Sequence, residues 1–413
     1  MTFYEIGDVV ITDLSIRNKN TGAFINPADQ IIQLSVYEDF NSPTLYAEAE
    51  VYDTIGMLHS FPLIGEEDFD ISFQTPGSPY PATYSLKIYS IENVQQMTNG
   101  KGYMYTIKCV SEEQLIQSNI NITQSYGDTI DNVVQSIFAR YIPTSKRLDV
   151  DPCKGTETVV FPKVTPLTAI DILRKRAVHP NYVSSSYVFF ENQDGFNFKC
   201  IEQLIEDGKS KIGTKSFYYY QDGQRDTKSE ALMFRNIIEY ENISRTDVTE
   251  LIQEGGVKNR VRYFDIFTKS VKDITFDMTE KLSSVVSTDK NSSMNLSDSM
   301  MQKYAPDPTF NFYIPKDTDR KENFLEGMMG ARQSFSKLFN SNVLRLYIVG
   351  DSTIKAGDVI TVNFTKADGL TGGISTDDPN NGNYIITRIR HILTTSGKLK
   401  HYISLDCNKV GLA

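Results

Sequence analysis

NVLRLYIVGDSTIKAGDVITVNF, residues 342–364, begins the part of the chain that decides the fold. An apolar run from Val343 to Val349 precedes a turn at Gly350-Asp351 and a second apolar segment. A loop rich in Gly, Asn and Asp follows, then NYIITRIRHILT (Asn383 to Thr394), a Ser396-Gly397 turn and KLKHYISLDC (Lys398 to Cys407). Strand patterns bounded by turn residues at this spacing predict an antiparallel hairpin added to preceding strands.

The same order of elements occurs near the other end of the chain. EEDFDISF (Glu66 to Phe73) leads into a Pro/Gly loop, and then come YSLKIYSIENVQQMT (Tyr84 to Thr98), an Asn99-Gly100 turn and KGYMYTIKC (Lys101 to Cys109). Strand lengths, turn position and the terminal Cys correspond, and the main difference is the length of one loop, where insertions are tolerated. We therefore interpret the chain as carrying one β-unit twice.

Composition limits the possible functions of the chain. Its 413 residues are enough for two to four domains, and 23 Tyr, 23 Phe and no Trp favour strands. The net charge of -10 argues against nucleic-acid binding, which needs clustered Lys and Arg. Arg174-Lys175-Arg176 is interpreted as a solvated helix face. Four scattered cysteines predict free thiols in a reducing compartment, and neither a signal peptide nor a membrane-spanning apolar run is recognised, so we expect synthesis in the cytoplasm.

The periodicity of apolar residues predicts three domains. Residues 1–110 form a first β-domain, residues 111–235 an α+β middle domain, and residues 236–413 a second β-domain with a loop and helix insertion at about 279–340. Helices are predicted after a Ser111/Gln114 capping box, after Asp128, from Thr165-Pro166 to His179-Pro180, and from Asp319 to Phe339. Residues 288–299 are predicted to be a long loop.

No motif assigns a catalytic, cofactor-binding or metal-binding residue. The sequence lacks a G-x-S-x-G elbow, an H-E-x-x-H pair and a phosphate-binding Gly-rich loop. His391 and His401 point to opposite sheet faces if Ser396-Gly397 makes a two-residue turn and to the same face if the loop has three residues; in either case we expect surface or interface histidines.

Two acidic segments are candidates for a cation site. The group Glu66, Glu67, Asp68 and Asp70 is predicted to be a solvated turn. The segment from Asp377 to Gly382 resembles a calcium loop but has Gly382 at its fifth position and Ile389 in place of the closing Glu.

Three features together suggest a family: the repeated β-unit around an α+β insert, the segment GGVKNRVRYFDIFTKSVKDITFDM (Gly255 to Met278), and the ending LYIVGDSTIKAGDVITV…NYIITRIRHIL…HYISLDC. They resemble the baseplate hub protein of contractile-tailed phages, whose relatives include the base of the type VI secretion spike and phage late-control tail proteins. The resemblance implies a β-rich α+β fold, in which two similar antiparallel tube-type β-barrel domains flank an α+β module.

The resemblance also implies a function and partners. It implies a homotrimeric structural adaptor, not an enzyme, in the virion tail baseplate between the six-fold tail tube and the three-fold central spike, where DNA passes without specific binding. The partners are then the central spike protein, a tail tube or tube-initiator protein and baseplate wedge proteins. Spike, lysozyme and needle segments are expected on separate chains. The alternatives are a β-rich tail or host-surface protein that binds carbohydrate on exposed aromatic residues, and a cell-wall-degrading enzyme.

Overall fold

The fold is described from a computed structural model of the chain. It describes residues 5–19, 21–61, 63–65, 67–97, 102–211, 213, 215–220, 234–245, 247–265, 268–281, 286–289, 303–305, 307–308, 310–315, 325–367, 374–375, 380–395 and 398–410. Residues 290–299 of the predicted loop, the start of the helix predicted from Asp319 and residues 377–379 of the segment from Asp377 to Gly382 lie outside these residues. The turns at Asn99-Gly100 and Ser396-Gly397 lie outside them as well.

The first β-unit occupies the N-terminal part of the chain. Its elements are β1 (Val10–Arg17), β2 (Phe24–Ile25), β3 (Ile31–Asp39), β4 (Tyr46–Asp53), α1 (Met57–Ser60), β5 (Asp68–Gln74), β6 (Ala82–Gln96) and β7 (Tyr103–Val110). Alternate residues of β4 are buried, as its alternating sequence predicts, because successive side chains of a strand point to opposite faces.

A mixed module follows the first unit. It consists of α2 (Glu112–Gln117), β8 (Ser125–Thr129), α3 (Ile130–Tyr141), β9 (Arg147–Val150), β10 (Thr156–Val160), α4 (Pro166–Arg174), β11 (Tyr187–Asn192), β12 (Gly195–Cys200) and α5 (Ile201–Lys209). The buried stripe of α3 is the one its sequence predicts, and α3 packs with α4 over a core that includes Phe189 and Phe198.

The second β-unit is built from strands on both sides of an inserted segment. Its strands are β13 (Ser216–Tyr220), β14 (Ile237–Arg245), β18 (Asn342–Val349), β19 (Val359–Ala367), β20 (Ile374–Ser375), β21 (Gly382–Thr394) and β22 (Lys400–Asn408). Between β14 and β18 lie α6 (Val248–Gln253), β15 (Lys258–Asp265), β16 (Ser270–Asp277), α7 (Met278–Lys281), β17 (Phe310–Pro315) and α8 (Leu325–Ser341). Because β15, β16 and β17 form a separate sheet, the chain leaves the large sheet directly after β14, earlier than the residue 279 expected from the sequence.

The two β-units have the same strand order. In the first, β5, β6, β7, β4 and β3 pair in that order, and in the second β19, β21, β22, β18 and β14 do, with every pair antiparallel. Outside this common set they differ, since β1 joins β5 antiparallel and β13 joins β19 parallel. The predicted β-rich α+β fold with two similar β-units is confirmed.

The correspondence extends to single residues. Cys109 lies opposite Ala47 and Ile88, and Cys407 lies opposite Leu344 and Ile386. One residue further along β6 and β21 the register shifts, which leaves Tyr89 and Thr387 as the extra residues of matching β-bulges. A matching bulge is a stronger sign of a structural repeat than matching strand lengths, because bulges are specific local features.

Each β-unit encloses its own apolar core. In the first unit the core includes Phe69, Phe73 and Tyr84, and in the second it includes Phe217, Phe364 and Tyr384. Tyr84 and Tyr384 both lie near the starts of β6 and β21, although by the register of the two bulges Tyr384 corresponds to Leu86. Burying an aromatic or branched side chain contributes about 1.5 to 3 kcal/mol, so these cores stabilise both units.

Two predictions about helix ends were wrong. Ser111 is the residue before α2, but its hydroxyl makes no capping hydrogen bond with the helix and instead donates to Glu191 Oε2 over 2.5 Å. The helix predicted to continue to His179 ends at Arg174. The N–H groups of Arg176 and Ala177 both bond the Leu173 carbonyl, and the carbonyls of Lys175 and Ala177 accept from another side chain, described below, instead of continuing the helix.

Candidate functional site

The two β-units meet at β21, which pairs with strands of both. Residues 382–385 of this 13-residue strand pair with β19 of its own unit, whereas residues 388–394 pair antiparallel with β3 of the first unit. Both partners lie on the edge of β21 that faces away from β22. The sheet therefore runs without interruption from one unit into the other, and we take this junction as the candidate functional site.

Polar side chains lie along the outer part of the junction. Arg388 Nε lies 2.7 Å from Asp39 Oδ2, opposite it in the strand pair. The guanidinium of Arg390 lies 5.4 Å from the centre of the Tyr37 ring, also directly opposite, and donates to Ser35 Oγ over 3.2 Å. The side chains of Arg388 and Asp39 are 52% and 26% exposed, so their ion pair contributes at most about 1 kcal/mol and mainly sets register.

Glu38 is the buried polar centre of the junction. Its carboxylate accepts hydrogen bonds from the backbone N–H of Ala356 in the second unit over 2.8 Å and of Gln193 in the middle module over 3.0 Å. The Tyr84 hydroxyl of the first unit donates to it over 3.2 Å. Burial raises the pKa of Glu38 to about 8, although the three donors act in the opposite direction. One side chain thus links all three parts of the chain.

His391 and His401, expected to be surface or interface histidines, lie together and buried inside the junction between the two units. His391 is opposite Ile403 and His401 opposite Leu393, so the two side chains share one sheet face, and His391 Nδ1 is 3.1 Å from His401 Nε2. Both are fully buried against Phe73 of the first unit. Burial lowers the pKa of His391 to about 3 and lowers that of His401 as well, so the pair is neutral and one ring donates to the other.

A second buried carboxylate fixes the middle module to the first unit. Glu191 accepts hydrogen bonds from the Ser111 hydroxyl, from the Leu45 backbone N–H over 3.1 Å and from Lys146 Nζ over 2.7 Å. Burial raises the pKa of Glu191, and the charge of Lys146 opposes this shift. Lys146 also bonds Glu113 Oε2 over 2.8 Å, so a cation and two carboxylates form one network.

Arg332 of α8 attaches the inserted segment to the middle module. Its guanidinium donates to the carbonyl oxygens of Lys175 over 2.5 Å, of Ala177 over 2.7 Å and of Ser184 over 3.2 Å, and also to that of Ser185. Burial lowers its pKa to about 10. A planar guanidinium with five N–H donors can bond several carbonyl oxygens at once, and these carbonyls belong to the segment that follows α4.

Glu67, Asp68 and Asp70 of the first acidic segment have structural contacts of their own, and Glu66 lies outside the described residues. Glu67 is buried and accepts from the backbone N–H groups of Ile64 and Gly65, both over 3.0 Å. Asp68 pairs with Lys87, and Asp70 accepts from the Ser85 hydroxyl over 2.6 Å. Within the described ranges no cluster of three or more His, Cys, Asp or Glu side chains could hold a metal ion.

Three other features bear on what the chain can do. Arg174 and Lys175 pair with Asp171, and Arg176 pairs with Glu157, so the basic run is largely neutralised. The four cysteines are free thiols, as predicted. Among the residues described, no helix has the length and apolar character to cross a membrane.

The sequence matches no protein-family model, and no curated protein matches it. Similar solved structures are found instead. A tail protein from Neisseria meningitidis MC58 aligns with a TM-score of 0.54 and 9% identity over 96% of each chain. The 43 kDa tail protein of prophage MuSo2 from Shewanella oneidensis aligns with a TM-score of 0.52 and 9% identity over 97% of this chain and 99% of its own.

A type VI secretion component, the c3393 protein of E. coli, aligns with a TM-score of 0.44 and 10% identity over 97% of this chain and 76% of its own. The fold of the chain is that of the two tail proteins from Neisseria meningitidis and prophage MuSo2. This confirms the fold expected from the resemblance noted in the sequence.

Proposed function

We propose that this protein is the structural hub of a contractile phage tail baseplate, a homotrimer that joins the six-fold tail tube to the three-fold central spike. The observation that carries the proposal is the repeat: β5, β6, β7, β4 and β3 form the same unit as β19, β21, β22, β18 and β14. Three copies of such a chain offer six similar units to a tube and three identical chains to a spike.

The way in which the two units meet supports this reading. They are joined edge to edge by β21 and β3, which is the kind of contact that can repeat around a ring. Buried bonds from Glu38 and Glu191 hold both units and the middle module in one arrangement. An adaptor under mechanical load needs fixed geometry of this kind, because subunit positions must not drift.

The similar structures agree with a tail role. The proteins from Neisseria meningitidis and prophage MuSo2 are tail proteins, and the alignment covers nearly all of both chains. A structural role requires no catalytic, cofactor or metal residue, and we assign none. The partners proposed are the central spike protein, a tube or tube-initiator protein and wedge proteins, in a virion tail assembled after synthesis in the host cytoplasm.

The proposal includes a channel through which DNA passes without being held. With 52 acidic and 42 basic side chains, an inner wall that is neutral or acidic is available. Screening acts over about 8 to 10 Å at physiological salt, so such a wall prevents sticking and does not push DNA along. Tight binding of DNA at low salt by the assembled protein would contradict this part of the proposal.

Mass in solution tests the proposed hub. Light scattering on the protein alone and with its spike protein should give a trimer in at least the second sample. We expect the trimer to bury more than about 2,000 Å², the size typical of obligate interfaces. A single chain that stays monomeric even when its spike is present would overturn the proposal.

A further inference from the structure

The repeat leaves one strand edge without the partner that its counterpart has. In the second unit, residues 388–394 of β21 pair with β3. The counterpart of β21 is β6. The pairing of β6 with β5 ends at Lys87, which lies opposite Asp68. The Ile88 N–H still donates to the Glu67 carbonyl just before β5, but from Ser90 onward β6 pairs with β7 alone among the strands described, so its edge at 90–96 is open there.

A matching open edge lies at the other end of the sheet. The counterpart of β3 is β14, and β14 pairs with β18 as β3 pairs with β4. On its other edge the described strands provide one isolated bridge, between Asn236 and Tyr218, just before β14 begins. The edge that β3 offers to β21 is therefore exposed in β14.

Both open edges carry exposed apolar side chains. Tyr89 and Val94 of β6 are 42% and 49% exposed, and Ile238 and Ile243 of β14 are 49% and 45% exposed. Open edges with exposed apolar residues favour pairing with another strand, and proteins usually cover or charge such edges. The counterparts of these two edges, β21 and β3, pair with each other within one chain. The open edges differ from those counterparts by one bulge each, at residues 93–94 of β6 and at Ile243 of β14.

An open cleft beside the bulge of β6 also indicates that this edge has room for a partner strand. In the second unit, the chain after β3 closes over the bulge: the Phe40 N–H donates to the Thr387 carbonyl over 3.0 Å and the Phe40 ring packs on Phe190. Beside Tyr89, the counterpart of Thr387, an open cleft of about 530 Å³ is lined by Tyr46, Val110 and Leu115 among others.

We infer that the open edge of β6, residues 90–96, pairs antiparallel with the open edge of β14 in a second copy of this chain. The equivalent registers predict which residues meet. Within the chain, Arg390 lies opposite Tyr37. The counterpart of Arg390 is Glu92, and the counterpart of Tyr37 is Ser244. We therefore expect Glu92 of one copy to lie opposite Ser244 of the next. The contact joins two different edges, so each copy can pair on both sides. Only the closure at three copies rests on the proposed function.

Disulfide trapping tests the contact. In a Cys153→Ser background, which removes the only thiol that is not fully buried, Glu92→Cys/Ser244→Cys should form reducible links between chains. Tyr37→Cys/Arg390→Cys, the corresponding pair within the chain, should form an internal link. Glu92→Cys/Glu239→Cys should give none, since five residues displace the partner by about 17 Å at 3.4 Å per residue. Mixing the two single variants should give a covalent dimer and nothing larger.

The outcomes separate this inference from the proposed hub. An oligomer in which the internal pair links but Glu92→Cys/Ser244→Cys does not would overturn the strand contact and leave the hub intact. Linked chains that grow beyond three copies would support the contact and overturn the closed trimer. Closed covalent trimers support both. A single unlinked chain, with or without its spike protein, overturns both.

Discussion

Glu38, in the first β-unit, accepts a hydrogen bond from the backbone N–H of Ala356, in the second, over 2.8 Å. The same carboxylate accepts from Gln193 of the middle module and from the hydroxyl of Tyr84. The three parts of the chain are thus coupled by one buried group, and its chemistry should be visible in the stability of the whole protein.

Removing this group should destabilise the protein strongly. Glu38→Ala leaves two backbone N–H groups and one hydroxyl buried without their acceptor, so the free energy of unfolding should fall by about 2 to 4 kcal/mol. Glu50→Ala, on the neighbouring strand β4 but exposed, should change it by less than about 0.5 kcal/mol. Urea denaturation measures both. Equal effects of the two substitutions would contradict the role given to Glu38.

The ionisation of Glu38 should make stability depend on pH. Its pKa is raised to about 8 in the folded protein, so the folded state holds a proton that the unfolded state releases from about pH 4.5 upward. The associated stability is complete below pH 4.5 and is lost as the pH rises toward 8. Glu38→Gln lacks this titrating group. Between pH 5 and 8 the free energy of unfolding of the wild type should therefore fall relative to that of the variant. An unchanged difference over that range would be inconsistent with a protonated Glu38.

The buried histidine pair should act in the opposite direction. The pKa of His391 is lowered to about 3, so the unfolded state binds a proton below about pH 6.5 that the folded state excludes. Stability is full above pH 6.5 and decreases on acidification by up to about 1.4 kcal/mol per pH unit for each such group. His391→Gln removes one of them, and the advantage of wild type over this variant should shrink between pH 7 and 4. Parallel curves from chemical denaturation would show that the pKa of His391 is not lowered in the folded protein.

The close approach of Gly350 to the histidine pair gives a steric prediction. A Cβ at this position would overlap the His401 ring, which is packed against Phe73 and cannot move away, so Gly350→Ala should lower the melting temperature by several degrees. Gly327→Ala is the matched control, because no atom lies within 4 Å of its added Cβ in α8, where Ala favours the helix. A melting temperature unchanged in Gly350→Ala would contradict the packing described here.

Local patterns in the sequence were sufficient for the repeat and for most individual elements. Alternation in β4, the apolar stripe of α3 and the turn residues around β21 and β22 all involve neighbours close in the chain, and the structure has these elements where they were predicted. The terminal cysteines Cys109 and Cys407 marked equivalent positions, because both units place a small buried residue beside the bulge.

Tertiary structure alone decided how the units join. The pairing of β21 with β3 depends on strand edges that are over 300 residues apart, and edges carry no sequence signal because backbone groups make the bonds. Ser111 had the spacing of a helix cap, yet it bonds Glu191 because burial makes a carboxylate without donors more costly than a helix end in water. His391 and His401 share a buried face because the register of their hairpin sets the face, and the sequence left that register open.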